Sequence, residues 1–353
     1  MQPLADPVDS ILLREAGNAA VDGGPLVVLD DQDGALSIGL AAAFPECPVR
    51  VSCDSLAEEE ATAAAVNGHD QVRVHPDLGP ELLSGARLVL LRLPKSLAAL
   101  DEMGEAVARY ANPSVLLLAG GRVKHMSRGM NDVLARHFVV VRGSLGAQKS
   151  RALVATQPIP PGLPRYPMAA TDPELGITVY AHGAAFAGTA VDLGTRFLLS
   201  FRDSFPRADC VVDLGCGTGL LAVAAAQAMP DATVLALDES RAAVQSASAT
   251  AQGNGVADQV EVRRTHLMRG VDDHSVDLIL CNPPFHRGNT RDSAVAFEMI
   301  GEAARTLRPG GELWTVFNSH LPYLRTLRRV VGRTSIAGQN ASFTVTRSVQ
   351  SPA

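Results

Sequence analysis

A glycine-rich segment that follows an apolar run places the strongest constraint on how this chain can fold. The apolar residues at 210–212 lead into 213–219, which reads Asp-Leu-Gly-Cys-Gly-Thr-Gly, and then into a helical run at 220–229. Glycines permit a tight turn and let the main chain approach a ligand closely at the start of a helix. The segment therefore predicts a strand, a loop and a helix, with a ligand held at the N-terminus of that helix.

A second apolar run, 233–237, ends in Asp238. A carboxylate at that point is placed to accept hydrogen bonds from ribose hydroxyls, and this pattern fits a dinucleotide as well as a nucleoside. Asp213, which opens the glycine loop, favours a cationic, amine-bearing ligand such as S-adenosylmethionine over a pyrophosphate. The alternative is a purely structural turn in which Asp238 caps the next helix.

A third apolar run, 276–281, ends in the tetrapeptide Asn282-Pro283-Pro284-Phe285. An exocyclic amine on a base or amide is a poor nucleophile because its lone pair is delocalised, and acceptors for its N–H groups favour a pyramidal nitrogen. Asn282 offers a side-chain carbonyl and Pro283 a main-chain carbonyl, and two successive prolines make that arc rigid. Phe285 offers a face on which a base can stack, worth about 1–3 kcal/mol. The alternative is a strand that ends in a proline turn, with Phe285 in the core.

The rest of the chain alternates apolar strands with amphipathic helices, which is typical of a doubly wound α/β fold. Prolines cluster between 157 and 174 and indicate a linker. We therefore predict two domains, 1–160 and 161–353.

The two halves resemble each other. Residues 29–36 and 212–219 each lead into an alanine-rich helix and then into a strand, which ends at Cys53-Asp54-Ser55 in the first half and at Asp238-Glu239-Ser240 in the second. The first copy has aspartates where the second has its first two loop glycines, and nothing like the tetrapeptide follows it. This pattern predicts a duplicated domain whose N-terminal copy is degenerate and has lost its cofactor loop. The alternative is two generic strand–helix–strand units that match by chance.

Charge and cysteine patterns set further bounds. The net charge of −6 argues against a nucleic-acid partner, but basic residues are segregated into 122–151 and into the acid-free C-terminal segment from 313 onward. Such segments form either phosphate-binding faces or solvated helix faces. The five cysteines show no paired or metal-ligand spacing, and no apolar stretch approaches eighteen residues. We expect no metal, no membrane contact, a cytoplasmic location and a monomer.

Motifs in both halves are similar to those of one known family. The chain resembles the bacterial ribosomal RNA (guanine-N2)-methyltransferases with two tandem methyltransferase-like domains, which act on 16S or 23S rRNA. The C-terminal motifs are Phe186-x-Gly188, Asp192-x-Gly194-x-Arg196, the glycine loop, 238–240 and 282–286; in the N-terminal half, 93–98 and 124–151 look closer to the large-subunit enzyme. The resemblance implies two Rossmann-like class I methyltransferase domains, of which the first binds no cofactor and supports RNA binding or folding.

The resemblance also implies roles for particular residues. S-adenosylmethionine would be held by Asp213, Gly215, Cys216, Gly217, Gly219, Asp238, Glu239, Thr265, His266 and Asn282. Catalysis would fall to Asn282, Pro283, Pro284 and Phe285, and substrate contacts to Phe186, Phe285, His286 and Arg287. One departure concerns the adenine contact, because family members usually carry Asp or Asn where this chain has Thr265-His266.

The resulting expectation is methyl transfer to the N2 amine of a guanine in ribosomal RNA, with 23S slightly favoured over 16S. Methylation of a protein glutamine amide or of an adenine amine uses related tetrapeptides and remains an alternative. A non-catalytic RNA-binding protein with a vestigial pocket is another. A nicotinamide-dependent oxidoreductase is a more distant alternative, because the tetrapeptide would have no role there.

Overall fold

The computed structural model describes residues 6–21, 23–284 and 290–351 of the chain. The chain divides into two compact units, Met1–Tyr166 and Pro167–Ala353. Each unit is an α/β domain with its own seven-stranded sheet. Within the described residues, no helix combines the length and apolar character needed to cross a bilayer.

The N-terminal unit contains six α-helices and seven strands among its described residues. In chain order they are α1 (Pro7–Gly17), β1 (Leu26–Leu29), α2 (Ala35–Ala43), β2 (Val49–Ser52), α3 (Leu56–Ala65), β3 (Val72–Val74), α4 (Pro80–Leu83), β4 (Leu88–Arg92), α5 (Leu97–Tyr110), β5 (Leu116–Arg122), α6 (Arg128–Leu134), β6 (Phe138–Gly143) and β7 (Ser150–Pro158).

The C-terminal unit contains a small hairpin and then the same alternation, again counted over its described residues. Its elements are β8 (Met168–Asp172), β9 (Ile177–Ala181), α7 (Leu193–Leu199), β10 (Cys210–Leu214), α8 (Leu220–Ala228), β11 (Thr233–Asp238), α9 (Arg241–Gly253), β12 (Val260–Arg264), β13 (Val276–Cys281), α10 (Thr290–Thr306), β14 (Leu307–Asn318), α11 (Tyr323–Val330), β15 (Gly332–Gln339) and β16 (Phe343–Gln350).

The two large sheets have the same strand order. It is β3-β2-β1-β4-β5-β7-β6 in the first unit and β12-β11-β10-β13-β14-β16-β15 in the second. The first five strands of each sheet run parallel, and the last two pair antiparallel. The order reverses at β1 and at β10, which is where ligands bind in open α/β sheets. The predicted doubly wound, mostly parallel α/β class is confirmed.

The apolar character of the central strands follows from burial on both faces. All four residues of β1 are buried, as are five of the six residues of β13. Each sheet has one apolar cluster on each face, formed with the helices that connect its strands. These two-sided cores fix the strand register and therefore the positions of the loops at the strand ends.

The hairpin β8–β9 is held against α9 by a ladder of polar side chains. Ser246, Thr250 and Asn254, spaced four residues apart on one helix face, accept main-chain N–H bonds from residues 182, 180 and 178 at 2.9–3.0 Å. The helix face thus takes the place of a neighbouring strand. The sequence analysis identified neither this ladder nor the hairpin.

Strand β14 contains an irregularity close to its start. It begins at Leu307, directly after α10. Val276 pairs with Leu307 and Leu278 with Glu312, so residues 308–311 form an irregularity inside one strand. The proline-glycine sequence at 309–310 therefore lies in a bulge within the strand, although such sequences are also common at the ends of helices.

Candidate active site

Four loops meet at the carboxyl edge of the second sheet. Leu214 pairs with Leu237 on one side and with Cys281 on the other, and Asp238 pairs with Arg264. Because parallel strands end at the same edge, this register brings together the loops that follow β10, β11, β12 and β13. The glycine loop, Asp238, Thr265 and Asn282 therefore lie around one crevice.

The glycine loop adopts a conformation that ordinary residues rarely take. Gly215, Gly217 and Gly219 have φ values of 75°, 53° and 75°. A Cβ on Gly219 would lie 2.8 Å from the Cβ of Ala247 in α9, so the glycine permits close packing of α8 and α9. A Cβ on Gly217 would meet no atom within 4 Å. Gly219 thus serves packing, whereas Gly217 faces open space.

Asp213 is buried, with a relative exposure of 1%. Its Oδ2 accepts the main-chain N–H of Ala222 in the first turn of α8 at 2.9 Å. Its Oδ1 has no hydrogen-bond partner among the described residues. Burial raises the pKa of this carboxyl to about 7. A buried acceptor without a partner carries a free-energy cost of about 1–3 kcal/mol, and a ligand that donates a hydrogen would remove it.

Asp238 is oriented by the main chain on both sides. Its Oδ2 accepts the N–H of Gly217, and its Oδ1 accepts the N–H of Ser240, both at 2.9 Å. Each carboxylate oxygen can accept more than one hydrogen bond. The carboxylate therefore links the glycine loop to the start of α9.

The loop after β12 distinguishes two neighbouring residues. Thr265 is buried, and its hydroxyl donates to the carbonyl of Arg269 at 3.2 Å within the same loop. His266 is partly exposed, and its Nδ1 lies 3.8 Å from Oε2 of the exposed Glu239. His266 and Glu239 thus form a polar pair at this edge, while the side chain of Thr265 turns into its own loop.

Cys216 is buried, and burial raises the pKa of its thiol well above the ordinary value. A protonated, buried thiol is a poor nucleophile. Cys281, the last residue of β13, is likewise buried, and burial likewise raises its pKa. Both cysteines therefore act as small core residues.

Asn282 is held by two residues at the start of α7. Its Nδ2 donates to Oδ2 of Asp192 at 3.0 Å and to Oγ1 of Thr195 at 2.9 Å. A carboxylate can only accept, so the atom that faces it must be the amide nitrogen. Both amide hydrogens are engaged, and the side chain can therefore offer only its carbonyl oxygen to a further partner.

Asp192 also caps α7, because its Oδ2 accepts the N–H of Thr195 at 3.0 Å. The sequence analysis noted Asp192 as part of a motif but missed its contact with Asn282. The available signal was an acidic helix cap followed by a threonine at the third helical position. Nothing in a single sequence relates that cap to a residue ninety positions downstream.

The remaining predicted residues differ in where they lie. Pro283 is buried and Pro284 is exposed. Phe285, His286 and Arg287 lie outside the described residues. Phe186 is 64% exposed, on the loop between β9 and α7. The structure thus brings the cofactor candidates together with Asn282, and it leaves Phe186 on the surface.

Family comparisons agree with the two-unit architecture. Residues 5–159 match the RLMG N-terminal domain family, and residues 176–347 match the methyltransferase small domain family. The chain is 36% identical to the ribosomal RNA large subunit methyltransferase G of Streptomyces coelicolor, over 98% of this chain and 93% of that protein. It is 32% identical to the Aeromonas salmonicida protein of the same name, over 98% of this chain and 92% of that one.

The chain belongs to the ribosomal RNA large subunit methyltransferase G family. The expected family of tandem-domain ribosomal RNA methyltransferases is thereby confirmed. Among solved structures, the chain is similar to the T. thermophilus 16S rRNA N2 methyltransferase (RsmC) in complex with AdoMet and guanosine. That match has a TM-score of 0.79 at 20% identity and covers 99% of this chain and 93% of the other. It confirms the class I methyltransferase fold.

The basic segments expected to contact phosphates are only partly available in this methyltransferase. Arg325, Arg328 and Arg329 are exposed on α11, and Arg333 is exposed on β15. Arg347 instead forms a bidentate ion pair with the buried carboxylate of Glu312, whose Oε2 also accepts from Trp314. Arg347 therefore stabilises the sheet.

The first basic segment lies in the N-terminal unit. Lys124, Arg128, Arg142, Lys149 and Arg151 are exposed there. Arg136 lies 3.4 Å from the buried carboxylate of Asp101, which also contacts His137 and Arg165. Most of this segment thus presents charge to solvent, as a phosphate-binding face requires.

Proposed function

We propose that this chain transfers the methyl group of S-adenosylmethionine to the exocyclic N2 amine of a guanine in ribosomal RNA, with 23S RNA favoured over 16S RNA. One observation carries the proposal. An acceptor-only Asn282 stands at the end of β13, directly beside the strand that leads into the glycine loop. An amine whose N–H groups must be held while its lone pair turns toward a methyl group needs a hydrogen-bond acceptor at that place.

Several residues fit the proposed cofactor. Oδ1 of Asp213, which has no partner among the described residues, suits a cationic amine, and the main chain at Gly217 can approach a ligand closely. Gly215, Cys216 and Gly219 are proposed to complete the cofactor loop. Asp238 suits the ribose, and Glu239, Thr265 and His266 are proposed to hold the adenine of the cofactor. When bound, S-adenosylmethionine would supply an activated methyl group on its sulfonium.

The chain's own contribution to the reaction is positional and electrostatic. Oδ1 of Asn282 would accept an N–H of the target amine, and the carbonyl of Pro283 would accept the other. Two acceptors favour a pyramidal nitrogen whose lone pair is directed away from the ring, and they stabilise the positive charge that develops during transfer. Phe285, with His286, Arg287 and Phe186, is proposed to hold the extruded base, whose unstacking costs a few kcal/mol.

The proposal extends to the setting of the enzyme. Curated relatives named for the large ribosomal subunit support 23S RNA as the substrate. We propose that the N-terminal unit binds no cofactor and provides RNA contacts through its basic segment. We also propose that the enzyme is a cytoplasmic monomer that requires no metal.

Transfer of a labelled methyl group tests the proposed function. Ribosomal RNA from cells that lack the enzyme is incubated with the purified protein and tritiated S-adenosylmethionine, and release factors replace the RNA in a parallel reaction. We expect label in 23S RNA, on N2-methylguanine after digestion, with none in release factors. Label in a protein glutamine or in N6-methyladenine would replace the guanine proposal by one of its alternatives.

Primer extension across both ribosomal RNAs from the same cells locates the target. An N2-methylated guanine stops reverse transcriptase, so one stop should vanish in the absence of the enzyme and return on complementation. Unchanged stops throughout 23S and 16S RNA would contradict the proposal.

A further inference from the structure

We propose that Asp192 and Thr195 are positioning residues that turn Asn282 into an obligate hydrogen-bond acceptor. The inference rests on the proposed function and deepens it, because it assigns to α7 the selection of an N–H-bearing target atom. An isolated asparagine can rotate its amide by 180° and present either its carbonyl or its NH₂ group. The contacts at the start of α7 allow only one of these two orientations.

The hydrogen-bond inventory fixes the orientation. The amide of Asn282 has two hydrogens, one on Asp192 and one on Thr195. A flipped amide would place its carbonyl oxygen 3.0 Å from a carboxylate oxygen, and two acceptors at that distance repel each other. Thr195 is buried and Asp192 is partly buried, so water would not replace these contacts at low cost.

Gly194, which lies between Asp192 and Thr195 in the chain, leaves space beside the amide of Asn282. A Cβ on Gly194 would lie 3.0 Å from Oδ2 of Asp192 and 3.5 Å from Oδ1 of Asn282. A Cβ at this position would crowd the carboxylate of Asp192 and would lie in van der Waals contact with the carbonyl of Asn282. The first turn of α7 therefore places three features beside Asn282: the capping carboxylate of Asp192, the space left by Gly194 and the hydroxyl of Thr195.

The N-terminal unit supplies an independent observation. Arg92, the last residue of β4, is equivalent to Asn282, the residue after β13, because Leu29 pairs with Leu91 as Leu214 pairs with Cys281. Asp6 caps α1, and Asp9 occupies its third helical position, as Asp192 and Thr195 do in α7. Arg92 makes ion pairs with both Asp6 and Asp9.

The duplicated geometry thus connects the same three positions in both units, with different chemistry. In the first unit the contact is a structural ion pair, and all three positions are charged. In the second unit it is an amide with two acceptors, which leaves one directed carbonyl. A reacting amine requires the oriented amide of the second unit, and the ion pair of the first unit could not serve it.

Two substitutions remove the positioning while keeping the helix start. Asp192→Ser retains a good N-cap, but its side chain is too short to reach Asn282. Thr195→Val keeps the shape of the buried side chain and removes its hydroxyl. We expect each to lower kcat for methyl transfer about tenfold or more, with S-adenosylmethionine affinity within about twofold of wild type. Thr195→Ser should restore most of the rate.

Matched controls separate positioning from general destabilisation. Asp6→Ser removes the equivalent carboxylate in the N-terminal unit, and Thr346→Val removes a buried hydroxyl from β16. Neither should change kcat. In the background of Asn282→Ala, Asp192→Ser should cause no further loss, because the group that it orients is absent.

A measurement that needs no substrate keeps the inference testable if a different acceptor molecule is found. In protein with ¹⁵N-labelled asparagine, the Nδ2 hydrogens of Asn282, assigned through their absence in Asn282→Asp, should exchange slowly with water. Both Asp192→Ser and Thr195→Val should accelerate that exchange.

Rapid exchange in the wild type would overturn the inference, as would unchanged kcat in both variants of an enzyme that methylates ribosomal RNA. A wild type that binds S-adenosylmethionine and methylates neither ribosomal RNA would instead overturn the proposed function. In that case the exchange measurement still decides whether α7 positions Asn282.

Discussion

The loops after the first strand of each sheet occupy the same place in the fold and differ in what they leave available. In the C-terminal unit, Gly217 faces open space, and Oδ1 of Asp213 has no partner among the described residues. In the N-terminal unit, Asp31 accepts from Gly34 N and from both the N–H and the hydroxyl of Ser37. The first loop is thus satisfied internally, and the second is satisfied only with a ligand.

The two loops correspond residue by residue, and the N-terminal one lacks two of the three glycines. Asp30 and Gly215 are equivalent, since each donates its N–H to the end of the neighbouring strand and has a positive φ. The caps of α2 and α8, Gly34 and Gly219, are equivalent as well. Gln32 therefore stands where Gly217 should approach a ligand. The expected pair of aspartates at the first two glycine positions is in fact one aspartate and one glutamine.

The two units also differ at the position proposed to bind the ribose. Cys53 stands in the first unit where Asp238 stands in the second, because the residues two positions later, Ser55 and Ser240, cap equivalent helices. The thiol of Cys53 is buried and contacts the carbonyl of Asp31 at 3.1 Å. Burial raises its pKa to about 12. A neutral, buried thiol replaces an acceptor, which supports the proposal that this unit binds no cofactor.

The largest expected effect concerns Asn282 and Arg92, which occupy equivalent positions at the ends of β13 and β4. Asn282→Ala should lower turnover at least about a hundredfold and leave S-adenosylmethionine affinity nearly unchanged, because an acceptor aimed at developing charge contributes on that scale. Arg92→Ala, at the equivalent position, should lower the stability of the N-terminal unit and leave kcat unchanged. Radiolabel kinetics and binding calorimetry check both. Lost cofactor affinity in Asn282→Ala would contradict the role assigned to this residue.

The next effect tests the closure of the first loop. Cys53→Asp would restore the acidic residue of a cofactor site, but it would place a carboxylate among Asp31 and other buried groups. We expect a loss of several kcal/mol in stability and no second cofactor site. Calorimetric stoichiometry above one S-adenosylmethionine per chain would show that the loop is open, contrary to this comparison.

A smaller effect separates backbone strain from ligand contact in the second loop. Gly217→Ala introduces a Cβ at a positive φ, which costs about 1–2 kcal/mol of strain, and places it in the open crevice. Gly255→Ala carries the same strain, since its φ is 71° and its Cβ would also meet no atom within 4 Å. Both should lose similar stability in chemical denaturation, and only Gly217→Ala should weaken S-adenosylmethionine binding, by about tenfold. Equal affinities would remove Gly217 from the site.

The last expected effect is a pH dependence that originates at Asp213. Its folded-state pKa is raised from 3.8 to about 7, so its stabilising contribution is complete below about 3.8 and is lost as pH rises through about 7. Without cofactor, the C-terminal unit should therefore gain stability as pH falls from 8 to 5. Asp213→Asn should lack this gain and should be the more stable protein at pH 8.

Trp314 makes this experiment specific to one unit. It is the sole tryptophan of the chain and is buried in the C-terminal core, so its fluorescence during urea unfolding follows that unit alone. Parallel pH profiles for the wild type and Asp213→Asn would assign the pH dependence to other groups.

The parts of this molecule that sequence could predict are those encoded locally. The segment 213–219 and the acidic end of β11 indicate a loop and an acceptor by residue type alone, because glycine conformations and strand patterns depend on near neighbours. The tetrapeptide at 282 similarly indicates its chemistry through the oxygens that it carries. The tandem architecture followed from repetition of the same local patterns.

The parts that sequence could not predict depend on contacts between distant positions. The orientation of Asn282 is set by Asp192 and Thr195 through side-chain geometry. The capping of α8 by Asp213 from inside β10 was also missed, because the sequence analysis assigned this carboxylate to a ligand alone. Arg347 was grouped with the basic C-terminal segment because the sequence does not show that its partner, Glu312, lies on a neighbouring strand.

The ladder between β9 and α9 couples two repeats of unequal length. Two residues of strand advance about 6.6 Å and four residues of helix about 6.0 Å, so each rung falls behind by about 0.6 Å. Three rungs tolerate this mismatch, while a longer array would drift out of hydrogen-bonding range. A single-residue insertion in α9 would turn the later rungs by about 100° and release the hairpin. Substitutions that keep a hydrogen-bond acceptor at these three positions should therefore be tolerated more readily than changes in the number of bonds in the ladder.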